Sequence, residues 1–586
     1  MSRARGGGRI VRVSGAIAEA RPLPDVALYE LVRVGARGLL GEVIRVAGDR
    51  ATIQVYEETS GLELGEPVTP SGQSLTIHLG PGLLGSVLDG VGRPLDGIAA
   101  QAGDFIAPGI AVPTLDATQR WEFTPSVRPR DRVAGGDVLG TIEERLGLVH
   151  RVLVPPDVAG TVQRLAAGTH TVADTIGLLQ DGTALQLGHL WPVRRPRPFA
   201  RRLAPAQPLV TGQRVFDFLF PVAEGGSVAV PGGFGTGKTV IEQSLAKFAE
   251  ADVVVYVGCG ERGNEMAEVL EEFPRLVDPR TGRSIMDRTV LVVNTSNMPV
   301  AAREASVYVG ATIAEYYRDM GYRVALMADS LSRWAEALRE IAARLQEMPG
   351  EEGYPTYLGN RLGKFYERAG CVEAAGTPGR TGSVTLISAV SPPGGDFSEP
   401  VTQASLRVVG ALWALDPALA NQRQFPAVDW ETSYSLYADK TAAWFAEHAG
   451  RDWPELRRGT LELMQRDREL REIAGLVGPE ALQDRDRLLL EAARVTRDVV
   501  LAQSAFDPND AFSGVGKTHR LAALAQALYT TGLAVLARGV GVERLDLGPA
   551  RQALAAARRA PAAEFDARAG EAAAAIARLQ ESGQAA

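Results

Sequence analysis

A glycine-rich segment carries the clearest chemistry in this sequence. Residues 232–239 read GGFGTGKT and fit the pattern G-x-x-x-x-G-K-[ST] at every fixed position. Glycines let backbone N–H groups curve around phosphate oxygens, and a following helix presents its positive end to the anion. In this pattern Lys238 reaches the β- and γ-phosphates, and the Thr239 hydroxyl binds Mg²⁺. The segment predicts a nucleoside triphosphate site formed by Gly232, Gly233, Phe234, Gly235, Thr236, Gly237, Lys238 and Thr239.

The surroundings of this segment favour the same interpretation. An apolar run at 227–230 predicts a buried strand before the loop, and residues 240–250 predict a helix after it. A second segment, 514–518, reads GVGKT, but its first glycine position is Ala511 and no buried strand precedes it. We therefore predict that 514–518 is a loop or a helix terminus with a structural role.

Two carboxylates follow predicted buried strands. Residues 324–328 are apolar and end at Asp329, a pattern typical of a carboxylate in the shell of Mg²⁺. Residues 253–257 are followed by Glu261 and Arg262. The carboxyl ends of parallel strands face the ligand, so Glu261 is predicted to polarise a water for attack on the γ-phosphate. Arg262 would stabilise phosphate charge or orient the loop. The alternative is a carboxylate at a helix N-terminus beside a solvated arginine, and Cys259 is predicted to be unreactive.

The patterns of apolar, turn-forming and helix-forming residues change along the chain and predict several domains. The first ~70 residues read as short strands punctuated by turns and predict a small β-barrel. Residues 113–187 are Gly- and Pro-rich and β-like, and 191–208 predict a linker. From 209 onwards buried strands alternate with amphipathic helices, which predicts a parallel α/β sheet. After 437 only helical patterns remain, and the Ala-rich tail 550–586 is predicted to be helix with some fraying.

Composition narrows the function classes. The net charge of −8 offers no basic field for nucleic acid. No run of 18 or more apolar residues exists, and MSRARGGGRI is not followed by an apolar signal core. Two cysteines and six scattered histidines predict neither a disulfide framework nor a zinc site. Only five of the 62 basic residues are lysines, and the first is Lys238, which fits a need for a compact ammonium there.

Longer segments resemble a known family. They include VVVYVGCGERGNEM at 253–266, NTSNMPVAAREASVY at 294–308, SPPGGDFSEPVT at 391–402 and YEETSGLELGEPV at 56–68. With these segments the chain resembles the catalytic A subunit (alpha chain) of V-type and archaeal A-type rotary ATPases. The likeness covers nearly the whole chain and weakens after about residue 510.

This resemblance implies a multidomain α/β fold. The expected domains are an N-terminal β-barrel at 1–72, a P-loop parallel α/β nucleotide-binding domain at 73–112 and 188–437, an inserted β-rich bulge domain at 113–187, and a C-terminal helical domain at 438–586. It implies interconversion of ATP plus water and ADP plus phosphate with Mg²⁺, coupled to translocation of protons or sodium. It also implies a position at the cytoplasmic face of a membrane.

The resemblance also implies site residues and partners. Glu261 matches the family's water-polarising glutamate, Arg262 its phosphate-contacting neighbour and Asp329 its Walker B carboxylate. Phe425 and Phe506 match its adenine pocket, with Gln503 in the same segment as Phe506. The expected partners are B-type regulatory subunits in an alternating A3B3 ring, which supply an arginine finger in trans, together with central and peripheral stalk subunits and, indirectly, the membrane rotor.

Some positions depart from the family, and other functions compete. Leu331, Gln424 and Thr236 stand where relatives carry a small hydroxyl residue, histidine or cysteine, respectively. A non-catalytic ring subunit would lack the phosphate-binding and water-polarising groups that Lys238 and Glu261 supply. A nucleic-acid-translocating hexamer would show a basic, aromatic-bearing patch. The ~75-residue insert and SPPGGDFSEP disfavour a secretion export ATPase.

Overall fold

The structure is a computed structural model that describes residues 6–103, 106–145, 147–233 and 235–581. Contacts divide the described residues into two units. The first unit comprises Met1–Ala204, Ala251–Pro392 and Asp396–Val408, and the second comprises Pro205–Glu250, Pro393–Gly395 and Val409–Ala586. In the described part of the chain, no helix has both the length and the apolar character needed to cross a membrane.

The strands follow one another along the chain as β1 (Gly8–Ser14), β2 (Ile17–Arg21), β3 (Glu30–Val34), β4 (Leu39–Ala47), β5 (Arg50–Val55), β6 (Pro67–Ser74), β7 (Thr76–Leu79), β8 (Val87–Asp89), β9 (Trp121–Pro125), β10 (Arg132–Val133), β11 (Val138–Arg145), β12 (Leu148–Leu153), β13 (Gly160–Leu165), β14 (Gly168–His170), β15 (Gly177–Leu179), β16 (Ala184–Leu185), β17 (His189–Pro192), β18 (Phe199–Leu203), β19 (Ser227–Pro231), β20 (Val253–Glu261), β21 (Thr289–Thr295), β22 (Arg323–Asp329), β23 (Gly370–Ala374), β24 (Thr381–Val390), β25 (Ala411–Leu412) and β26 (Tyr434–Ser435).

The α-helices are α1 (Leu95–Ala102), α2 (Lys238–Phe248), α3 (Gly263–Glu272), α4 (Val300–Asp319), α5 (Leu331–Arg344), α6 (Leu358–Tyr366), α7 (Pro400–Leu406), α8 (Pro417–Asn421), α9 (Ala438–His448), α10 (Trp453–Val477), α11 (Asp484–Val495), α12 (Val515–Leu536), α13 (Gly548–Arg558) and α14 (Phe565–Arg578).

The predicted N-terminal barrel is confirmed in the first unit. Strands β1 to β6 close into an antiparallel barrel in the order β1-β2-β5-β4-β3-β6. Alternate residues of β3 face inwards, and Val32 and Val34 are buried there with Val43 and Ile53 from the neighbouring strands. Burial alternates along β3 with a period of two, which is typical of a strand that turns one face towards the inside of a barrel.

The insert is β-rich, as predicted. Strands β9 to β16 form two four-stranded sheets, in the orders β12-β11-β9-β14 and β10-β13-β15-β16. Buried apolar side chains from both sheets, such as Phe123, Ile142, Val162 and Leu179, are at most 2% exposed. This arrangement is a small sandwich stabilised by its own apolar residues.

The predicted linker at 191–208 is wrong over most of its length. The segment begins within β17 and includes β18, which pairs antiparallel with β23. Its arginines suggested a segment exposed to solvent. Arg197 is instead buried and donates from Nε to Asp319 at 2.6 Å. Arg194 donates from Nη2 to Glu42 at 2.8 Å. Carboxylates far away in the sequence therefore pair the arginines and bring this segment into the fold.

A parallel sheet forms the centre of the first unit. Its strands run in the order β24-β22-β20-β21-β8, all parallel, and β23 adds antiparallel to β24. Helix α4 is buried along almost its whole length, and α5 buries Leu331, Trp334, Leu338 and Ile341, which are three or four positions apart. The order places the carboxyl ends of β20 and β22 side by side.

The second unit holds the glycine-rich loop and the helical region. Strand β19 pairs parallel with β25, which pairs antiparallel with β26. Beyond β26 the described chain is helical, as predicted, from α9 to α14. The Ala-rich tail forms two helices, α13 and α14, separated around Pro561, and residues 582–586 lie outside the described residues.

Candidate nucleotide site

The glycine-rich loop has the local structure that phosphate binding needs. Strand β19 is buried throughout, and α2 begins at Lys238 directly after the loop. The Lys238 ammonium donates to the carbonyl oxygens of Gly232 at 2.5 Å and Gly233 at 3.2 Å. The Thr236 hydroxyl donates to the Gly233 carbonyl at 2.9 Å. The lysine thus folds over its own loop at the N-terminus of an 11-residue helix. Phe234 lies outside the described residues.

Glycine is required at two positions of this loop. Gly237 has a φ of 88°, in the left-handed region that other residues rarely adopt. A Cβ at Gly237 would also lie 3.4 Å from the Phe425 ring. At Gly232 a Cβ would lie 2.7 Å from the Thr236 hydroxyl and 2.9 Å from Leu415. Any side chain at Gly232 would therefore displace the loop.

The three predicted adenine-pocket residues differ in exposure. Phe425 is 41% exposed beside Gly237, and Phe506 is 92% exposed. Gln503 is buried, and its side-chain amide is engaged by the protein. Its Oε1 accepts from the Arg214 N–H at 2.8 Å, and its Nε2 donates to the Gly212 carbonyl at 2.8 Å. The Gln503 backbone N–H donates to the Phe425 carbonyl at 2.8 Å. Both ends of the Gln503 amide are thus engaged by the protein, and its contact with the nucleotide stays a prediction.

In the first unit, β20 ends at Glu261 and β22 ends at Asp329. The two strands are parallel, with Gly258 opposite Asp329, so both carboxyl groups lie at one edge of the sheet. Burial raises the pKa of Glu261 to about 8, and the charge of Asp329 and a hydrogen bond with Glu265 add to the effect. A carboxylate with a raised pKa is a stronger base than an ordinary glutamate.

The loop after β20 is shaped by a close approach. Gly260 has a φ of 76°, and a Cβ there would lie 2.7 Å from the Arg333 side chain and 2.9 Å from that of Arg303. Arg262 is exposed and occupies the position directly before α3. Cys259 is buried, and burial raises the pKa of its thiol to about 12, in agreement with the predicted unreactive role.

Sequence reasoning missed three residues around these carboxylates. The Tyr256 hydroxyl donates to Asp329 at 3.4 Å. Arg333 and Glu265 act on Glu261, since the charge of Arg333 lowers its pKa and Glu265 raises it. Glu265 was within reach of the sequence, because it lies only four residues beyond Glu261, whereas Arg333 lies 72 positions from Glu261 and only the fold brings them together. Tyr256 needed the register of β20 against β22.

The GVGKT segment at 514–518 is a helix terminus, as predicted. Gly514 precedes α12, and the Lys517 ammonium donates to the carbonyl oxygens of Asn509 at 2.9 Å and Ala560 at 3.3 Å. The lysine therefore joins the start of α12 to the residues around α13 and α14.

Each of the two residues predicted to hold Mg²⁺ carries an oxygen donor of the kind that this ion prefers. Thr239 offers a hydroxyl in the first turn of α2, and Asp329 offers a carboxylate at the end of β22. Among the described residues there is no group of three or more His, Cys, Asp or Glu that could hold a metal ion. Mg²⁺ is usually bound through one or two carboxylates plus substrate phosphates, and both residues are hard oxygen donors.

Four family models match the chain, and they cover the barrel, the insert, the nucleotide-binding region and the helical region. The nucleotide-binding domain of the ATP synthase alpha/beta family matches 212–435, and the beta-barrel domain of that family matches 10–72. The ATP synthase alpha/beta subunit barrel-sandwich domain matches 112–194. The C-terminal domain of V and A type ATP synthase matches 442–539. The predicted multidomain α/β fold is therefore confirmed.

Close relatives are similar along most of the chain. A V-type ATP synthase alpha chain of Anaeromyxobacter dehalogenans (strain 2CP-C) is 59% identical, covering 91% of this chain and 92% of its own. The A subunit of the A-type ATP synthase of Methanopyrus kandleri is 57% identical over 88% of each chain. A solved structure of the assembled ATPase EscN from the enteropathogenic E. coli type III secretion system shares the fold, with a TM-score of 0.64 and 22% identity. That match covers 88% of this chain and 99% of the other. The chain belongs to the family of V-type ATP synthase alpha chains and A-type ATP synthase A subunits.

Proposed function

We propose that this chain is the catalytic subunit of a rotary ATPase or ATP synthase, interconverting ATP plus water and ADP plus phosphate. The observation that carries the proposal is the GGFGTGKT loop, folded between a buried strand and a helix with Lys238 over its carbonyl oxygens. Backbone N–H groups and the helix N-terminus bind phosphate oxygens there, and Lys238 neutralises the β- and γ-phosphates. Similarity to the ATP synthase subunits supports the same activity.

The proposed chemistry divides between the loop and the strand ends. Phosphates are held by Gly232, Gly233, Phe234, Gly235, Thr236, Gly237, Lys238 and Thr239. Glu261 accepts a proton from the water that attacks the γ-phosphate in line, and Arg262 stabilises charge on the phosphate. When Glu261 is ionised, its carboxylate is a stronger base than that of an exposed glutamate, because its pKa is raised. In synthesis the same group returns the proton.

Mg²⁺ and adenine complete the proposed site. Thr239 and Asp329 hold Mg²⁺, which supplies Lewis-acid stabilisation of phosphate charge when it is bound. The Phe425 and Phe506 rings pack against adenine, as their exposure allows. For Gln503 we propose a positioning role, because its backbone N–H holds the Phe425 carbonyl and its amide is engaged elsewhere.

We also propose the assembly and the domain bounds that the resemblance implies. Three copies of this chain alternate with three B-type subunits, bind central and peripheral stalk subunits, and drive a membrane rotor that carries protons or sodium. The ring lies at the cytoplasmic face of the membrane. The proposed domains are 1–72, 73–112 with 188–437, 113–187, and 438–586. The match of 442–539 to the C-terminal domain of V and A type ATP synthase supports the proposed membership of such an assembly.

The test is MgATP turnover by the full chain, alone and mixed with its B-type partner. We expect Lys238→Ala to abolish turnover and Glu261→Gln to keep nucleotide binding but lose turnover. Matched controls are Lys440→Ala and Glu268→Gln, which remove exposed groups outside the proposed site. Normal turnover by Lys238→Ala would refute the loop assignment. Loss of binding by Glu261→Gln would make that residue structural.

The mixing experiment also separates the alternatives. Turnover that needs the partner supports a site shared with a neighbouring subunit, whereas equal turnover without the partner contradicts the ring. A non-catalytic nucleotide-binding subunit would show no change on Glu261→Gln. That outcome would leave nucleotide binding intact and overturn the catalytic role.

A further inference from the structure

A cleft lined by arginines lies in the helical part of the second unit. It has a volume of about 860 Å³, and its walls come from the segment after α8, from the ends of α10 and α11, and from α13. Seven arginines line it: Arg423, Arg471, Arg494, Arg497, Arg551, Arg558 and Arg559. Asp498 is the single carboxylate among the described lining residues. None of residues 232–239 lines it, so this arginine cleft is separate from the phosphate-binding loop.

Some of this charge is compensated by carboxylates behind the walls. Asp467 pairs with both Arg471 and Arg497. Glu491 lies 3.2 Å from Arg551 and 3.9 Å from Arg494. The remaining paired wall residue, Arg558, lies 3.5 Å from Asp510. These pairs hold five guanidinium groups in place around the cavity.

Two arginines of the cleft are not compensated. Arg423 and Arg559 are exposed, and no carboxylate of the described residues lies within ion-pair distance of either. Arg423 has a φ of 58°, in the left-handed region where a non-glycine residue costs free energy. The fold thus holds this arginine at the cleft in an unfavourable backbone conformation, with its charge available to a ligand.

We propose that the arginine cleft binds a small polyanion made of linked phosphate groups. The guanidinium fork matches phosphate oxygens with two parallel hydrogen bonds, and its charge does not titrate away. The volume lies within the range of small-molecule sites, about 300–1,000 Å³, and so suits an oligophosphate or a nucleotide.

The arginine cleft and the phosphate-binding loop are connected through adjacent residues of the chain. Gln424 lines the cleft, and the next residue, Phe425, lies beside Gly237 of the phosphate-binding loop. A ligand that orders 422–424 therefore restrains the backbone that carries the Phe425 ring. The binding proposal itself does not rest on ATP turnover, because none of the cleft residues belongs to the proposed chemistry.

The first experiment measures binding of inorganic tripolyphosphate to the full chain by calorimetry. Lys238→Ala is the background, because the glycine-rich loop also binds phosphates. We expect one site to remain in Lys238→Ala, and its affinity to fall as salt rises. Adding Arg423→Gln and Arg559→Gln should weaken that site at least tenfold. The matched control replaces Arg485 and Arg520, exposed arginines of α11 and α12 outside the cleft, and should change affinity less than twofold.

The outcomes distinguish a nucleotide from an inorganic oligophosphate as the ligand, and the others would refute the proposal. ATP and tripolyphosphate competing for the remaining site would support it and identify the phosphate chain as the recognised group. Binding of tripolyphosphate alone would support it with an inorganic ligand. Loss of all binding on Lys238→Ala, or equal weakening by the control pair, would overturn the cleft as a site. Binding of a poly-aspartate peptide without tripolyphosphate would also overturn it, in favour of an acidic protein segment.

Discussion

The pairing of Arg194 inside the predicted linker gives a quantitative prediction. Arg194 donates to Glu42 on β4 at 2.8 Å and to Glu304 on α4 at 2.6 Å, and both carboxylates are at most 4% exposed. Burial alone would raise the pKa of Glu304, but the charge of Arg194 reverses this and holds it below its ordinary value. Removing the arginine leaves Glu42 without its ion-pair partner and leaves Glu304 with only Arg361, at 3.9 Å. We expect Arg194→Gln to destabilise the native contacts by about 3–5 kcal/mol.

The neighbouring residue provides the control. Arg195 pairs with Asp157 at 2.7 Å, but both side chains are more than half exposed, so Arg195→Gln should cost at most about 1 kcal/mol. A chain of this size does not unfold in one step, so we would measure amide hydrogen exchange of β4 and α4. We expect both elements to lose protection in Arg194→Gln and to keep it in Arg195→Gln. Equal protection in the two variants would refute the reasoning.

The same pairing predicts a dependence on pH. In Arg194→Gln the pKa of the buried Glu304 rises above its value in the unfolded chain, so the carboxyl takes up a proton more readily when folded. Such a group stabilises the folded state at low pH and loses that effect as the pH rises. The penalty of Arg194→Gln should therefore shrink from pH 7 to pH 5. The double variant with Glu304→Gln should recover part of the loss, and together with the Glu304→Gln single variant it gives the coupling energy.

Two further predictions concern a buried histidine and an aromatic ring. Burial, followed by the charge of Arg197, holds the pKa of His189 well below its ordinary value, so the unfolded chain takes up a proton near pH 6.5 and the folded chain does not. The free energy of unfolding should fall by about 1.4 kcal/mol per pH unit below about pH 6.5. In His189→Gln the free energy of unfolding should depend less steeply on pH. Equal slopes in the variant and the wild-type chain would contradict this. Phe425→Ala should weaken ATP binding by about 1–3 kcal/mol, the usual contribution of base stacking, whereas Phe425→Trp should keep it. Equal equilibrium affinities in Phe425→Ala and the wild-type chain would remove the ring from the adenine pocket.

Local patterns predicted the elements and the positions of the key side chains within them. The barrel was predicted from short strands punctuated by turns, and the parallel sheet from buried runs separated by helices. Glu261 and Asp329 could be placed at strand ends because the runs before them stop there. Each of these inferences uses residues within about ten positions of one another, where spacing determines which face a side chain takes.

What the sequence could not supply is the identity of partners far along the chain. The segment around Gln503 predicted its place in the adenine pocket, but not the partners of its amide, which are Gly212, Arg214 and Ala511. Tyr256 donates to Asp329, 73 positions away, and only strand register brings them together. A buried polar group needs a partner, yet the sequence does not say which one.

Arginine shows this limit most clearly, because the chain uses it for nearly all its positive charge. The five paired arginines of the cleft are fixed by carboxylates behind its walls, whereas Arg423 and Arg559 face it without an ion-pair partner among the described residues. In the first unit, Arg197 and Arg368 are buried against Asp319 and Glu315. In sequence the immediate neighbours do not separate the paired arginines from the unpaired ones. What separates a structural arginine from one available to a ligand is whether folding brings a carboxylate to it, and Arg423 and Arg559 are therefore the cleft positions to test first.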